Sequence, residues 1–413
     1  MPRYTALLLP LCLLALGCRP KTPPPATQAE VQTLVRDSNR MGLELYRALA
    51  KQGDNQVFSP LGLCGPMALL AWGADETTAR EIQSALHLTL PPVRIPVGLE
   101  AIRQRMLKPV SSLFGGTPEK PRLDFGLAIW SDSANPIPWS SRRKLPVLFS
   151  ATAENLDFQG DPSGSRDHIQ QWATARMDGM KVDGDPGPLP PNGLAIFGSV
   201  RFGARWGMPF QPEMTRTEPF RLLDGREVPV PMMHHHEHWP YFKDRDCEAT
   251  VLDYHGTCLE MVILLPEPGR FQAVEESLSL ERLERISAGF QAGSWNSVQA
   301  EVFLPRFTIT SKLKLNDALA ERGLAPLISG ASSLPRLQAR TAHHPLSIQQ
   351  STRFEVDEKG TQAATLTSIS TDGMATTKPF RANRPFLFLI RDRDTGAILY
   401  LGRYVDPTAA SAR

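Results

Sequence analysis

The chain is poor in cysteine, in net charge and in long apolar runs. Five cysteines in 413 residues exclude the dense bridging that holds small secreted domains together, so a packed apolar core has to hold this fold. Lysine and arginine total 45 against 43 acidic residues, a net charge of +2. That balance lacks the basic stripe a phosphate backbone requires, which excludes nucleic acid as a partner. Beyond residue 17 no apolar run reaches the length of a membrane-crossing helix, which excludes a bundle of such helices. Neither a G-x-S-x-G elbow nor a P-loop occurs. What is present, 41% hydrophobic and 21% charged residues, can bury a sizeable core. The 37 prolines favour a turn-rich, β-containing fold over a long helical bundle.

Residues 1–17, with Arg3 ahead of the apolar run 6–16, read as a secretory signal peptide too short to span as a mature anchor. The run Leu14-Ala15-Leu16-Gly17-Cys18 resembles a bacterial lipobox, and lipidation of Cys18 is the expectation. The protein is then exported, either to the cell envelope with a membrane contact through that lipid or as a freely secreted chain. Residues 18–30, containing RPKTPPPATQ, read as a proline-rich tether, and residues 408–413 as a tail. Cys64, Cys247 and Cys258 remain. A hairpin closing on residues 254–257 leaves Cys247 and Cys258 out of direct cross-strand register, so free, buried thiols are expected.

Helical spacing over residues 29–52, 61–72 and 77–86, the last led by Asp75, predicts three early helices. β-branched and aromatic enrichment then predicts strands over 123–130, 194–202, 228–233, 249–252, 259–265, 298–307, 386–391 and 398–404. Helices are expected between them at 167–176, 271–286 and 314–322. No repeat or linker divides residues 31–407, which read as one α+β domain.

The connection between a strand ending at Val356 and another beginning at Phe386 is long for a compact domain and supplies no core anchors. From Gly360 to Thr371 (GTQAATLTSIST) it carries neither proline nor charge. Extended, it sets Thr361, Ala363, Thr365 and Thr367 on one face, small enough to enter between strands. Gly360 can serve as a hinge free of Cβ restriction. Loop by position and strand by composition, the segment points to insertion into a sheet.

Residues 355–364 (EVDEKGTQAA) resemble the hinge of the serpins, close to E-x-G-T-E-A-A. Other landmarks follow in order: NQVFSP at 55–60, NLDF at 155–158, the run 198–210 ending in Trp206 and Pro209-Phe210, VPVPMM at 228–233, LPRF at 304–307, RPFLFLI at 384–390 and GRYVDP at 402–407. The resemblance implies an α+β fold of three β-sheets and about nine helices with an exposed C-terminal reactive loop, 358–384. It also implies a suicide inhibitor of serine, in some members cysteine, proteases. Such a chain is expected to be a monomer, to form a covalent complex with its protease, to need no cofactor and to be no enzyme. Glu358, Gly360, Thr361, Ala363, Ala364, Thr365 and Thr367 become the inserting hinge. Counting sixteen residues on from Glu358, or eleven back from Pro385, gives Met374, so the bait bond is Met374-Ala375. A long, unbranched apolar Met374 suits elastase-, chymotrypsin- or subtilisin-like enzymes.

The family's buried polar cluster under the opening sheet is depleted. Ser59 remains, while Gly62, Gly198 and Gln350 stand at the other places. Ala204 replaces a usual glycine, and Leu366 is larger than the usual inserting alanine. The alternatives are a non-inhibitory binding protein of the same fold and, more remotely, an exported acyl-enzyme hydrolase. The hydrolase would rest on S-x-x-K at 141–144 and 311–314 with Ser131-Asp132-Ser133, but it lacks a K-T-G. The H-x-x-x-H pair within residues 234–238 follows a β-like run, so it reads as a solvated strand end, with no metal site expected.

Overall fold

The structure, a computed structural model, describes residues 21–50, 54–109, 121–176, 188–292, 299–338, 346, 348–361 and 378–409. Helix α1 (Gln28–Leu49) begins where a capping box fixes it: the Thr27 hydroxyl accepts from Glu30 N, and the Glu30 carboxylate accepts from Thr27 N. Just upstream, Arg94 donates to the Pro24 and Pro25 carbonyls at 2.7 and 3.1 Å and pairs with Glu30. The expected tether therefore lies against the body here. Helix α2 (Pro60–Gly73) is apolar around its circumference and buried on nearly every side, as a helix without a polar face must be. Ser59 caps it, with Pro60 at the first helical position. Helices α3 (Glu76–Ala85), capped by Asp75, and α4 (Ile95–Met106) follow. A single turn, α5 (Trp139–Arg142), comes later.

The strands in chain order are β1 (Gln56–Phe58), β2 (Arg122–Asp132), β3 (Thr152–Leu156), β4 (Leu194–Arg205), β5 (Arg216–Arg221), β6 (Glu227–Lys243), β7 (Cys247–Asp253) and β8 (Leu259–Pro266). They continue as β9 (Gln299–Pro305), β10 (Phe307–Lys314), β11 (Gln349–Val356), β12 (Gly360–Thr361), β13 (Lys378–Arg381), β14 (Phe386–Asp392) and β15 (Ile398–Tyr404). Three sheets form among the described residues, as the resemblance implies. One runs β1-β15-β14-β8-β7-β6-β9-β13 with β5 on β6, one runs β12-β4-β2-β3, and one is the pair β10-β11. Strands β8, β14 and β15 are buried along their whole length, which is why they read as apolar runs rather than alternations.

Several boundaries differ from expectation. The strand at 228–233 continues through the histidines to Lys243, because His234 stacks on Phe303 at 4.1 Å and His235 meets Phe210 and Trp239 edge-on. His234 and His235 are thus packed rather than part of a solvated strand end. The single strand expected over 298–307 breaks at Arg306, and the helix expected over 271–286 divides into Phe271–Glu276 and Leu280–Ala292. Residue 314 ends a strand rather than opening a helix. Cys64, Cys247 and Cys258 are free, but Cys258 is only partly buried and donates to Asp394.

Candidate functional site

The chain leaves β11 at Val356 and doubles back within four residues. The Asp357 carboxylate accepts from Lys359 N and Gly360 N at 2.9 and 3.0 Å, and Asp357 N donates to the Gly360 carbonyl. This is an Asx-type turn that Asp favours. Gly360 sits at φ +151. A Cβ there would fall onto the Ala204 carbonyl oxygen and within 2.6 Å of Arg205 Cα, so this close approach requires glycine. Beyond it, Gly360 and Thr361 pair antiparallel with Arg205 and Ala204 of β4. Ala204, where a glycine is usual, is itself buried in this pairing.

Thr361 is 3% exposed, and its hydroxyl shares a 2.9 Å hydrogen bond with the Tyr254 hydroxyl. Tyr254 is stacked on Trp206, with centroids 4.8 Å apart, and meets the edge of Phe202. Burial pushes its phenol pKa up, so it stays neutral and able to donate. Trp206 completes the seat: its backbone N–H donates to the Lys359 carbonyl and its indole N–H to the Asp357 carbonyl. Phe210 N donates to the Glu358 carbonyl. The Glu358 side chain, almost fully buried, accepts from Thr215 Oγ1 at 2.8 Å and from Arg306 Nη1 at 3.4 Å.

Beyond Thr361 the edges of β4 and β11 lie side by side, and among the described residues no pairing joins them. One edge carbonyl, that of Val200, is met by the Tyr400 hydroxyl of β15 at 2.8 Å. Gln350 of β11 grips the start of α2 from this side. It accepts from Ser59 N at 2.6 Å and donates to the Ser59 carbonyl at 3.0 Å, while Ser59 Oγ donates to the Leu399 carbonyl. Gly198 of β4 faces Gly62 and Pro66; a Cβ on it would come within 2.7 Å of Pro66 Cγ and 2.8 Å of the Gly62 carbonyl. Thus Ser59 and Gln350 form a polar pair, and the two glycines turn the remainder of the expected cluster into close backbone packing.

Of the residues singled out in the sequence, Glu358, Gly360 and Thr361 come together at one end of this gap, and Ser59, Gly198 and Gln350 at the start of α2. Ala363, Ala364, Thr365, Thr367, Met374, Ala375 and Cys18 lie outside the described residues. The far end of the loop returns as β13, parallel to β9, with Phe380 buried and Arg381 over the Phe303 ring at 3.6 Å. Tyr254, Thr215 and Tyr400 are not among the residues the sequence singles out. Tyr254 and Thr215 meet the hinge across 107 and 143 residues, a distance no local pattern spans.

The other candidate chemistry disperses. Ser311 and Lys314 lie three apart on β10 and so project from opposite faces. Ser141 is buried while Lys144 is exposed. No group of three or more His, Cys, Asp or Glu residues is placed to hold a metal among the described residues.

The serpin (serine protease inhibitor) family model matches residues 36–407. A serpin-like protein of Thermococcus kodakarensis, described as uncharacterized, is 30% identical over 390 residues, covering 92% of this chain and 87% of the relative. A serine protease inhibitor of Cyanea capillata is 28% identical over 382 residues, covering 90% of this chain and 98% of the relative. Among solved structures, human thyroxine-binding globulin and human kallistatin each align with a TM-score of 0.79 at 23% identity, covering 92% of this chain and 100% of theirs. Matched along nearly its whole described length by one family model, the chain belongs to the serpin family.

Proposed function

We propose that this serpin inhibits serine proteases as a suicide substrate, with Met374-Ala375 as the bond attacked. Serpins are in general protease inhibitors rather than enzymes, and the observation that carries the finer reading is the seated hinge. Thr361 is already paired, buried and hydrogen-bonded at one end of the stretch where, among the described residues, no pairing joins β4 to β11. The protease serine Oγ attacks the Met374 carbonyl, the bond to Ala375 N breaks, and the new amine takes the proton from the protease base. Met374 is left esterified to the protease, while Ala375 stays joined to β13. Freed at that end, the loop adds residues to the gap in sequence after Thr361. About fourteen residues at ~3.3 Å each carry the ester on the order of 45 Å. The small side chains of Ala363, Thr365 and Thr367 follow Thr361 on one face. Export, and a lipid on Cys18, complete the proposal.

The test is to incubate the chain from residue 19 onward with elastase-, chymotrypsin- and subtilisin-like proteases and read denaturing gels with intact mass. A denaturant-resistant adduct with release of a peptide beginning at Ala375 is expected. Cleavage in the loop without adduct by every protease would reassign the chain as a non-inhibitory member. An absent rise in thermal stability after cleavage would remove loop insertion altogether.

A further inference from the structure

One corner of the molecule concentrates positive charge that no ion pair balances among the described residues. Trp139 is 64% exposed, and Leu223 is the other large apolar side chain that stands exposed among the described residues. Trp139 opens α5, and Arg142, Arg143 and Lys144, all exposed, follow within one turn and a half. The turn is fixed rather than loose: Arg142 N donates to the Pro138 carbonyl, Arg143 N to Trp139 and Lys144 N to Ser141. Its two flanks are pinned by the buried side chains of Ile137 and Leu145. The spacing places the Arg143 guanidinium 4.5 Å over the Trp139 ring, as an i, i+4 pair should.

Some exposed arginines elsewhere are matched by acids, and those that are not stand singly in the sequence rather than in a run of three cations beside an exposed indole. Arg80 pairs with Glu76, Arg103 with Glu100 and Arg226 with Asp224. Among the described residues, none of the three cations of this corner has such a partner. The whole chain carries a net charge of only +2, so the patch is a local concentration and not a reflection of overall charge. A lone exposed aromatic needs no explanation; one held against a guanidinium amid three unpaired cations does.

We infer that this corner docks on an anionic lipid surface. An indole is at home in the headgroup zone, where its ring is half dry and its N–H wet, while Lys and Arg beside it gain from phosphate-bearing headgroups. An acidic protein would satisfy the cations but would itself have to supply a dry pocket for the indole, which a headgroup zone offers without one. A polysulfated chain would leave the indole unused. The inference is independent of the inhibitory reading, since α5 belongs to neither the hinge nor the gap.

The experiment uses the unlipidated chain from residue 19 onward, sedimented with phosphatidylcholine vesicles that contain or lack about 30% phosphatidylglycerol as the anionic lipid. Binding to the anionic vesicles alone is expected, weakening with salt. Each cation contributes about fivefold, so R142Q/R143Q/K144Q should lose roughly 100-fold in partition, whereas R142K/R143K should retain it. Trp139→Ala should weaken binding and abolish any vesicle-induced blue shift in tryptophan emission. Arg80→Gln, an exposed but paired arginine, should leave binding unchanged, and matching thermal transitions show that the variants fold. Equal binding to neutral vesicles, an unaffected triple variant, or retention on a sulfated-polysaccharide column without vesicle binding would each overturn the inference.

Discussion

Replacing Gly360 by alanine tests whether the seated hinge governs trapping. The added methyl would meet three backbone atoms: the Ala204 carbonyl oxygen, Arg205 Cα at 2.6 Å and Trp206 N at 3.0 Å. None is the end of a flexible side chain, so β12 must leave β4. Leaving breaks the Tyr254–Thr361 bond, worth about 1 kcal/mol net, and strands a buried phenol hydroxyl at a further cost of about 1 kcal/mol or more. It also exposes the Thr361 methyl, at about 0.8 kcal/mol. The start of insertion is thus disfavoured by about 2–3 kcal/mol, or roughly 30- to 150-fold in the competition between insertion and deacylation. Titrating active protease with the variant should therefore require tens of inhibitor molecules per protease where the parent requires about one, and gels should show cleaved chain in place of adduct. Gly225→Ala is the control, since Gly225 shares a positive φ of +87 but has nothing within 4 Å of where its methyl would stand. If Gly360→Ala trapped protease at the parent's stoichiometry while being cut at the same bond, the seated hinge would have no part in the mechanism.

Restoring a polar side chain at Gly198, as Gly198→Asn, should destabilise the fold by about 1–3 kcal/mol in urea, because Pro66 and the Gly62 carbonyl already fill that space; an unchanged midpoint would mean α2 can withdraw freely. Arg403 is 3% exposed and its Nη1 lies 3.1 Å from Glu275, which also accepts from Tyr46. Glu275→Gln should therefore cost about 3–5 kcal/mol in thermal unfolding by leaving a buried cation, and a loss below about 1 kcal/mol would refute the dry environment. Burial opposes ionisation of Glu44, but hydrogen bonds from His87 and Arg322 outweigh it and hold the carboxyl down at about 2, against an ordinary 4.5. With the folded pKa below the unfolded one, that contribution is complete above pH 4.5 and is lost as pH falls towards 2. Glu44→Gln should flatten the stability–pH curve in that window by about 2–3 kcal/mol, and parallel curves for variant and parent would contradict it.

The elements legible in the sequence are those whose burial is simple. β15 can be placed to the residue because every position in it is buried, and α3 to within one residue because Asp75 caps it. β6 reads too short because histidine counts as polar; stacking on Phe303, which makes it a core-compatible ring, depends on a strand some seventy residues away. The helix over 271–286 reads as continuous because nothing in its apolar spacing marks the break before Leu280. At the site, the turn and strand start at Gly360 and Thr361 are legible, since glycine and threonine carry their conformational meaning locally. The seat is not, because Tyr254, Thr215 and Tyr400 acquire their roles only from the topology. Gly198 reads as a missing polar group, whereas its role is the closeness of α2 to β4.

On the proposed mechanism, the edges of β4 and β11, which no pairing joins among the described residues, amount to a binding site whose ligand is tethered beside it. Covalent connection holds the segment near the site at an effective concentration on the order of millimolar, so a free peptide or another molecule's loop must match that concentration to compete. Selectivity for self therefore needs no sequence code in the gap. It follows from connectivity, and it weakens wherever crowding brings neighbouring chains to comparable concentration, at which point the same edges become a template for strand exchange between molecules.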